Sequence, residues 1–380
     1  MKILIVTEFF PFSDQCDVKG GVEARAFHIA RHLAKRHKVT VITSRETGTK
    51  EKDSFAGIEV IRVGNERDYS QGGKLSARLS FVREAMKAGK KLNPDVVDGY
   101  NFVSYPAAYK IARLHKVPAV ATYHDVWIGG EWVKNMGPSG ILGEIVERRI
   151  LSMKWSHFIA VSNYTKGKLE TRGKVEPSRI TVVYNGIDKE KYSLGELKKQ
   201  PDSICFVGRL VKYKRVDLLL KAAKIMLPEF PSLLIKIIGV GPERESLEKM
   251  ANELGLKEHV KFFGFVEKHE DVVKEIATSK LFCLPSDVEG FGIVTVEALA
   301  AGTPFINSAI PPTIEVTDTG KGGQLFEPGN ELDLADKASE LLKDKSFYDK
   351  CLSEAPLVLE KYDWEKLAFQ VEHVYENAGK

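Results

Sequence analysis

LFCLPSDVEGFGIVTVEALAAGTPFINS, residues 281–308, reads as a strand, a turn, a helix and a second strand. LFCLPS is apolar without alternation, which suits a strand covered on both faces of a parallel sheet. The glycines of EGFG end that run, VTVEALAAG has helical composition, and TPFINS is strand-like again. A strand that returns to a second strand through a helix is the βαβ unit of parallel sheets. Upstream the unit recurs, with SICFVG, LLIKIIG and VKFFGFV as strands and VDLLLKAAKIM and PERESLEKMANEL as helices.

The first half carries the same pattern. Candidate strands are Lys2–Thr7, Lys38–Thr43, Ile58–Val63, Asp95–Tyr100, Ala119–His124 and Phe158–Ser162, and ITVVYNGI closes the half. Between the first two strands, GGVEARAFHIARHLAKRH places Val22, Ala26, Ile29, Ala30 and Leu33 on one helical face. Glu23, Arg25, Arg31 and Lys35 fall off that face. The polar stretch KEKYSLGELKKQPDS, residues 189–203, reads as a linker. The expected fold class is therefore α/β, with two doubly wound Rossmann-like domains facing across a cleft. Their expected bounds are 1–188 and 189–362, with a helix over 363–380 that crosses back to the first domain. Ligands of such sheets bind at the carboxyl ends of strands, beside helix N-termini.

At 380 residues the chain exceeds one ordinary core, and its 43% hydrophobic and 28% charged composition is that of a globular protein. No apolar run approaches the roughly 18–20 residues of a membrane span. The opening MKILIVTEFF lacks a basic n-region and reads as a first strand, not as a signal peptide. Cys16, Cys205, Cys283 and Cys351 are far apart and form no CxxC, so they are expected to be free thiols in a reducing compartment. The expected location is cytoplasmic, with the inner face of a membrane as an alternative place of work. Residues 1–188 hold 30 Lys and Arg against 20 Asp and Glu, and residues 189–380 hold 26 against 32. That asymmetry points to an anionic partner for the first half. No nucleic-acid partner is expected.

Glu289 and Glu297 bracket the turn Gly290, Phe291, Gly292. A turn that follows a strand and opens a helix presents backbone N–H groups and the positive end of the helix dipole. Carboxylates beside it can accept hydrogen bonds from sugar hydroxyls. Arg209 and Lys214, in VGRLVKYKRVD, follow the strand SICFVG, where an Arg–Lys pair can neutralise a diphosphate. Gly20 and Gly21 precede the first long helix, so the Gly21 N–H can meet a phosphate oxygen, although a plain turn explains the pair equally well. His124 and Asp125 follow the strand AVATY; a histidine there can face a ligand or cap backbone. In IGVGPE, Arg244 stands where a dinucleotide fingerprint needs its third glycine. The helix KLSARLSFVREAMKAGKKL, residues 74–92, sets Leu75, Leu79, Val82 and Met86 against Lys74, Arg78, Arg83, Lys87 and Lys90. It reads as a solvated outer helix, or alternatively as a contact with an anionic membrane surface.

PSDVEGFGIVTVEALAAGTP resembles the Glu-x7-Glu signature of the retaining glycosyltransferases of family 4, which have the GT-B fold. The resemblance runs over nearly the whole chain. It takes in GGVE, HD after the fifth strand, YNGID at the domain junction, VGRL with its downstream lysine, IGVGPE, FFGFV and YDW. It implies transfer of a hexose-type sugar, with retention, from a nucleotide-diphosphate sugar donor. The implied acceptor is an anionic molecule or a polyol: a glycan, a lipid-linked or a small phosphorylated molecule. Arg209 and Lys214 are then expected to bind the donor diphosphate and stabilise it as it leaves, with the Gly21 amide. His124 contacts the donor sugar and reacting centre, Glu297 holds the ribose, and Glu289 binds donor hydroxyls or steers the acceptor. Gly264, Phe265 and Val266 meet the base through their backbone. No cofactor and no metal is expected, because no cluster of His, Cys and carboxylates stands at ligand spacing. The chain departs from the family in having Arg215 where glycine usually follows the lysine.

Two other classes share parts of this pattern. A non-catalytic nucleotide-sugar-binding subunit would keep the donor residues. An NAD-dependent oxidoreductase would share the double Rossmann layout but needs the missing fingerprint.

Overall fold

In a computed structural model the chain divides into two compact units, Met1–Gly186 with Trp364–Lys380, and Ile187–Asp363. The structure describes residues 1–14, 20–68, 75–192, 194–195 and 197–379; Cys16 and Lys74 lie outside them.

The first unit is built on an eight-stranded sheet. Its strands are β1 (Lys2–Val6), β2 (Lys38–Glu46), β3 (Lys52–Phe55), β4 (Ile58–Arg67), β5 (Val96–Gly99), β6 (Ala119–Tyr123), β7 (His157–Ala160) and β8 (Ile180–Val182). The order is β3-β4-β2-β1-β5-β6-β7-β8, parallel throughout except for β3, which runs antiparallel to β4 at the edge. In β1, Ile3 and Ile5 pack against one helical layer while Leu4 and Val6 pack against the other. That two-sided burial is why the strand reads as an unbroken apolar run. On one face lie Ala26, Phe27, Ala30 and Leu33 of the helix Gly21–Ala34, with Leu367, Ala368 and Val371 of the C-terminal helix Trp364–Asn377. The C-terminal helix is held further by Glu372, which accepts from Arg36 Nη2 at 2.6 Å, and by Tyr375, whose hydroxyl donates to Asp98 at 2.7 Å.

The helix Leu75–Gly89 buries only part of the expected face, with Val82 and Met86 packed against the core. Phe81, Ala85 and Gly89 turn inward, whereas Leu75 and Leu79 are more than half exposed. A Cβ on Gly89 would lie 2.4 Å from Ile111 Cδ1 of the neighbouring helix, so a larger residue there would make the Ile111 side chain shift. Arg78 contributes its guanidinium to Glu8, 3.2 Å away, and Lys87 is bonded to Glu84 at 2.7 Å. The cationic face is therefore partly spent on internal pairs.

The second unit has six parallel strands: β9 (Gln200–Val207), β10 (Leu234–Ile238), β11 (Val260–Gly264), β12 (Ser279–Leu284), β13 (Phe305–Ser308) and β14 (Gly323–Phe326). Their order is β11-β10-β9-β12-β13-β14, so the chain reverses direction across the sheet between β9 and β12. That switch point is where open α/β sheets offer ligands a crevice. The stretch expected to be a linker is partly structured, with a short helix Lys189–Tyr192 and with β9 beginning at Gln200. Cys205, Cys283 and Cys351 are buried free thiols. Among the described residues, no helix is long and apolar enough to cross a membrane.

Candidate active site at the carboxyl ends of the strands

In the second unit the loops after β9, β10, β11 and β12 form one hydrogen-bonded platform. Gly208 donates to Ile238 O at 3.0 Å, Leu210 to Val240 O at 2.9 Å, Gly239 to Gly264 O at 2.9 Å and Asp287 to Tyr213 O at 2.9 Å. Glycine is required where these backbones meet. A Cβ on Gly239 would lie 1.9 Å from Gly208 O, and one on Gly241 would lie 2.1 Å from Leu210 O. The two glycines of IGVGPE thus serve loop-to-loop packing, which explains a partial fingerprint without a dinucleotide.

This platform brings Lys214 and Glu289 together. Lys214 ends the 3-10 turn Lys212–Lys214, and its ammonium lies 2.5 Å from Glu289 Oε1. Arg209, just beyond β9, is exposed and donates from Nη2 to the Tyr213 hydroxyl at 2.5 Å. Arg215 adopts φ 51°, ψ 40°, the left-handed region that glycine enters without strain. Its guanidinium is anchored in compensation, at 3.0 Å from Asp217 Oδ1 and 3.2 Å from Asp287 Oδ2. Arg215 therefore combines a left-handed backbone with an ion-pair clasp at this position.

Gly292 also takes a left-handed conformation, φ 81°, and opens the helix Ile293–Ala300 with no side-chain cap. Phe291 is buried, with its ring edge-on to Tyr362 at 5.5 Å, so its side chain anchors the Gly290–Gly292 turn and does not project to a ligand. Glu297 Oε1 accepts from the Tyr192 hydroxyl at 2.9 Å, and that hydroxyl is 2.9 Å from His269 Nε2. Tyr192 and His269 were not legible as site residues: one sits in a polar stretch, the other opens a helix of mixed composition. Gly264, φ 75°, ends β11, and Phe265 beyond it is exposed.

In the first unit, Gly21 begins the long helix and Gly20 precedes it with extended backbone and no side-chain cap. His124 directly follows β6, and its Nε2 is buried without a hydrogen-bond partner. Burial, and secondly the charge of Arg25, push its pKa down to about 3. Glu23 and Arg25, which periodicity puts off the apolar face of the first long helix, are both buried, Arg25 the more deeply. It is fully buried, donating from Nη1 to Tyr184 O at 2.5 Å and to Asn185 Oδ1 at 3.0 Å. An arginine on the flank of an amphipathic helix carries no sign that a partner chain segment awaits it. Asp125 is tied down as well, its Oδ1 2.6 Å from Lys168 Nζ and 2.7 Å from Val126 N.

The low His124 pKa has a measurable consequence. An unfolded histidine takes a proton near pH 6.5, whereas the folded one refuses it until about pH 3. Its contribution to stability is therefore intact above the unfolded pKa and is lost as pH falls, by up to about 1.4 kcal/mol per pH unit. Urea unfolding between pH 7 and 5 is expected to give a steeper loss for the native chain than for His124→Gln. Imidazole nitrogen shifts at pH 5.5 should be those of a neutral ring.

Two parallel-sheet Rossmann-like units in one chain are the architecture of the GT-B fold. The model of Glycosyltransferase Family 4 matches residues 19–191, and that of Glycosyl transferases group 1 matches residues 188–358. The chain belongs to glycosyltransferase family 4. An uncharacterized glycosyltransferase of Methanocaldococcus jannaschii is 27% identical over 406 residues, covering 100% of this chain and 98% of that one. Among solved structures, the sucrose-phosphate synthase of Thermosynechococcus elongatus superposes with a TM-score of 0.83 at 18% identity, over 99% of this chain and 98% of that one. The Anabaena protein HepE, in complex with UDP and glucose, superposes with a TM-score of 0.77 at 20% identity, over 99% and 100%.

Proposed function

We propose that this glycosyltransferase moves a hexose-type sugar from a nucleotide-diphosphate sugar to a hydroxyl acceptor, with retention of configuration and without a metal ion. The observation that carries the reading is the grouping of Arg209, Lys214 and Glu289 beside the uncapped helix that bears Glu297. Cations next to a helix N-terminus stabilise the negative charge that grows on a departing diphosphate. The Lys214 ammonium has three donors, and Glu289 engages one, so phosphate oxygens can take the others. In this reading Glu297 holds the ribose, Glu289 binds donor hydroxyls or steers the acceptor, and the Gly264–Val266 backbone meets the base. Gly21 and His124 take the phosphate and the donor sugar. The excess of Lys and Arg over residues 1–188 favours an anionic acceptor, either a lipid-linked phosphate at a membrane or a soluble phosphorylated sugar, with a polyol as the neutral case.

The test is a panel of UDP-, GDP- and ADP-sugars read by thermal shift, followed by nucleotide release with candidate acceptors, in the presence and absence of EDTA. UDP-glucose heads the panel because HepE was solved with UDP and glucose. Release that persists in EDTA supports the proposal. Activity abolished by EDTA and restored by magnesium or manganese would overturn the metal-free part. Tight donor binding with no turnover on any acceptor would reassign the chain as a binding subunit.

A further inference from the structure

Beyond β6 the first unit carries a helical hairpin, Glu131–Met136 and Gly140–Leu151, joined by the 3-10 turn Gly137–Ser139. Its two helices close around Trp132. A Cβ on Gly140 would lie 2.2 Å from the Trp132 carbonyl oxygen, and one on Gly143 would lie 2.5 Å from the indole ring, so both positions must be glycine. The hairpin is thus a built element, and it carries an apolar outer face. Its carboxylates are all partnered: Glu147 is buried and accepts from Trp132 Nε1 at 2.5 Å, and Glu144, at the surface, accepts from the backbone of Gly129 and Gly130 at 3.1 and 3.2 Å and from Arg148 Nη2 at 2.6 Å. Glu131 faces Arg172, 3.7 Å away. What points outward is apolar and cationic. Val133, Met136, Ile141, Leu142 and Ile145 are 41–59% exposed, and Lys134 and Arg149 are exposed beside them.

We propose that this hairpin docks on an anionic lipid bilayer, with the five apolar side chains entering the boundary between headgroups and acyl chains and with Lys134 and Arg149 meeting lipid phosphates. An interfacial element needs this combination of an apolar face and cationic flanks. Each hairpin carboxylate is engaged by a donor or a cation of the same unit, which offsets the charge that an anionic surface would repel. The inference deepens the reading of the first unit as the side that meets an anionic acceptor, and it places the contact here and not on the helix Leu75–Gly89, where Arg78 is already paired with Glu8.

The experiment is sedimentation with vesicles of phosphatidylcholine alone and of phosphatidylcholine with phosphatidylglycerol, at low and high salt. Two variants are compared with the native chain: Ile141→Ser/Leu142→Ser/Ile145→Ser, and Lys134→Glu/Arg149→Glu. Both sets of side chains are exposed, so both variants should fold, which circular dichroism checks, and both should bind donor as the native chain does. The expected result is binding to anionic vesicles only, weakened by salt, with each variant losing at least about tenfold in affinity. No binding by the native chain, or a triple variant that binds as tightly, overturns the proposal. A native chain that ignores vesicles but forms a dimer abolished by the triple variant assigns the patch to self-association and also overturns it. Vesicle binding that persists while no nucleotide sugar binds leaves the docking surface standing and sinks the donor reading instead.

Discussion

Glu297→Ala is expected to weaken nucleotide-sugar binding by about 10- to 150-fold, a loss of about 1.5–3 kcal/mol for a charged acceptor removed from sugar hydroxyls. The structure indicates why the loss should fall on the ligand and not on the fold. In the free protein Glu297 is bonded to Tyr192, and that hydroxyl keeps His269 at 2.9 Å when the carboxylate is gone. No buried donor is orphaned, so thermal stability should change little. Tyr192→Phe serves as the companion. It leaves the carboxylate in place but removes the hydroxyl that orients it, and should cost about 1 kcal/mol in donor affinity. Calorimetric titration with the nucleotide diphosphate measures both. Unchanged affinity in Glu297→Ala would remove Glu297 from the donor site, whatever the activity did.

The parts of the molecule that sequence made legible are those built from local units. Each βαβ segment contains its own strand, turn and helix, and two-sided burial writes an unbroken apolar run into each central strand, as in ILIV of β1 and LFCL of β12. The strand, turn and helix that carry Glu289 and Glu297 are readable for the same reason: they lie within one continuous segment, and the resemblance implies the roles proposed for the two carboxylates. Edge elements were not readable. β3, KDSF, has one strand neighbour and needs no apolar character, and β14 is only four residues long.

Buried polar groups were equally silent. Arg25 falls off the apolar face of its helix, where an arginine is ordinarily solvated, yet it is buried and bonded to residues 184–185, far away in sequence. Tyr192 reaches Glu297 across 105 positions, and only the tertiary fold of the second unit brings the two within hydrogen-bond range. The helix Leu75–Gly89 is a divided case: Val82 and Met86 of the expected apolar face pack against the core beside Phe81 and Ala85, while Leu75 and Leu79 of the same face are exposed. How much of an apolar face is covered is a tertiary property that helical periodicity does not encode.

Lys214→Ala is expected to lower kcat by about 100- to 1,000-fold, the usual cost of removing one preorganised group that stabilises transition-state charge. Arg209 alone should not compensate, since its guanidinium is exposed and leans on Tyr213, whereas Lys214 is largely enclosed beside Glu289. A second explanation predicts the same loss, however. Removing the ammonium also releases the Glu289 carboxylate, and a free negative charge about 4 Å from a leaving diphosphate is worth about 4 kcal/mol of repulsion at an effective dielectric of 20. The double variant Lys214→Ala/Glu289→Gln separates the two, because it removes the cation without exposing an anion. If Lys214 acts on the phosphates, the double variant stays slow on the chemical step. A double variant that regains most of the native kcat would show that Lys214 only neutralises Glu289, and the leaving group would then rest on Arg209 and the helix that begins at Gly292.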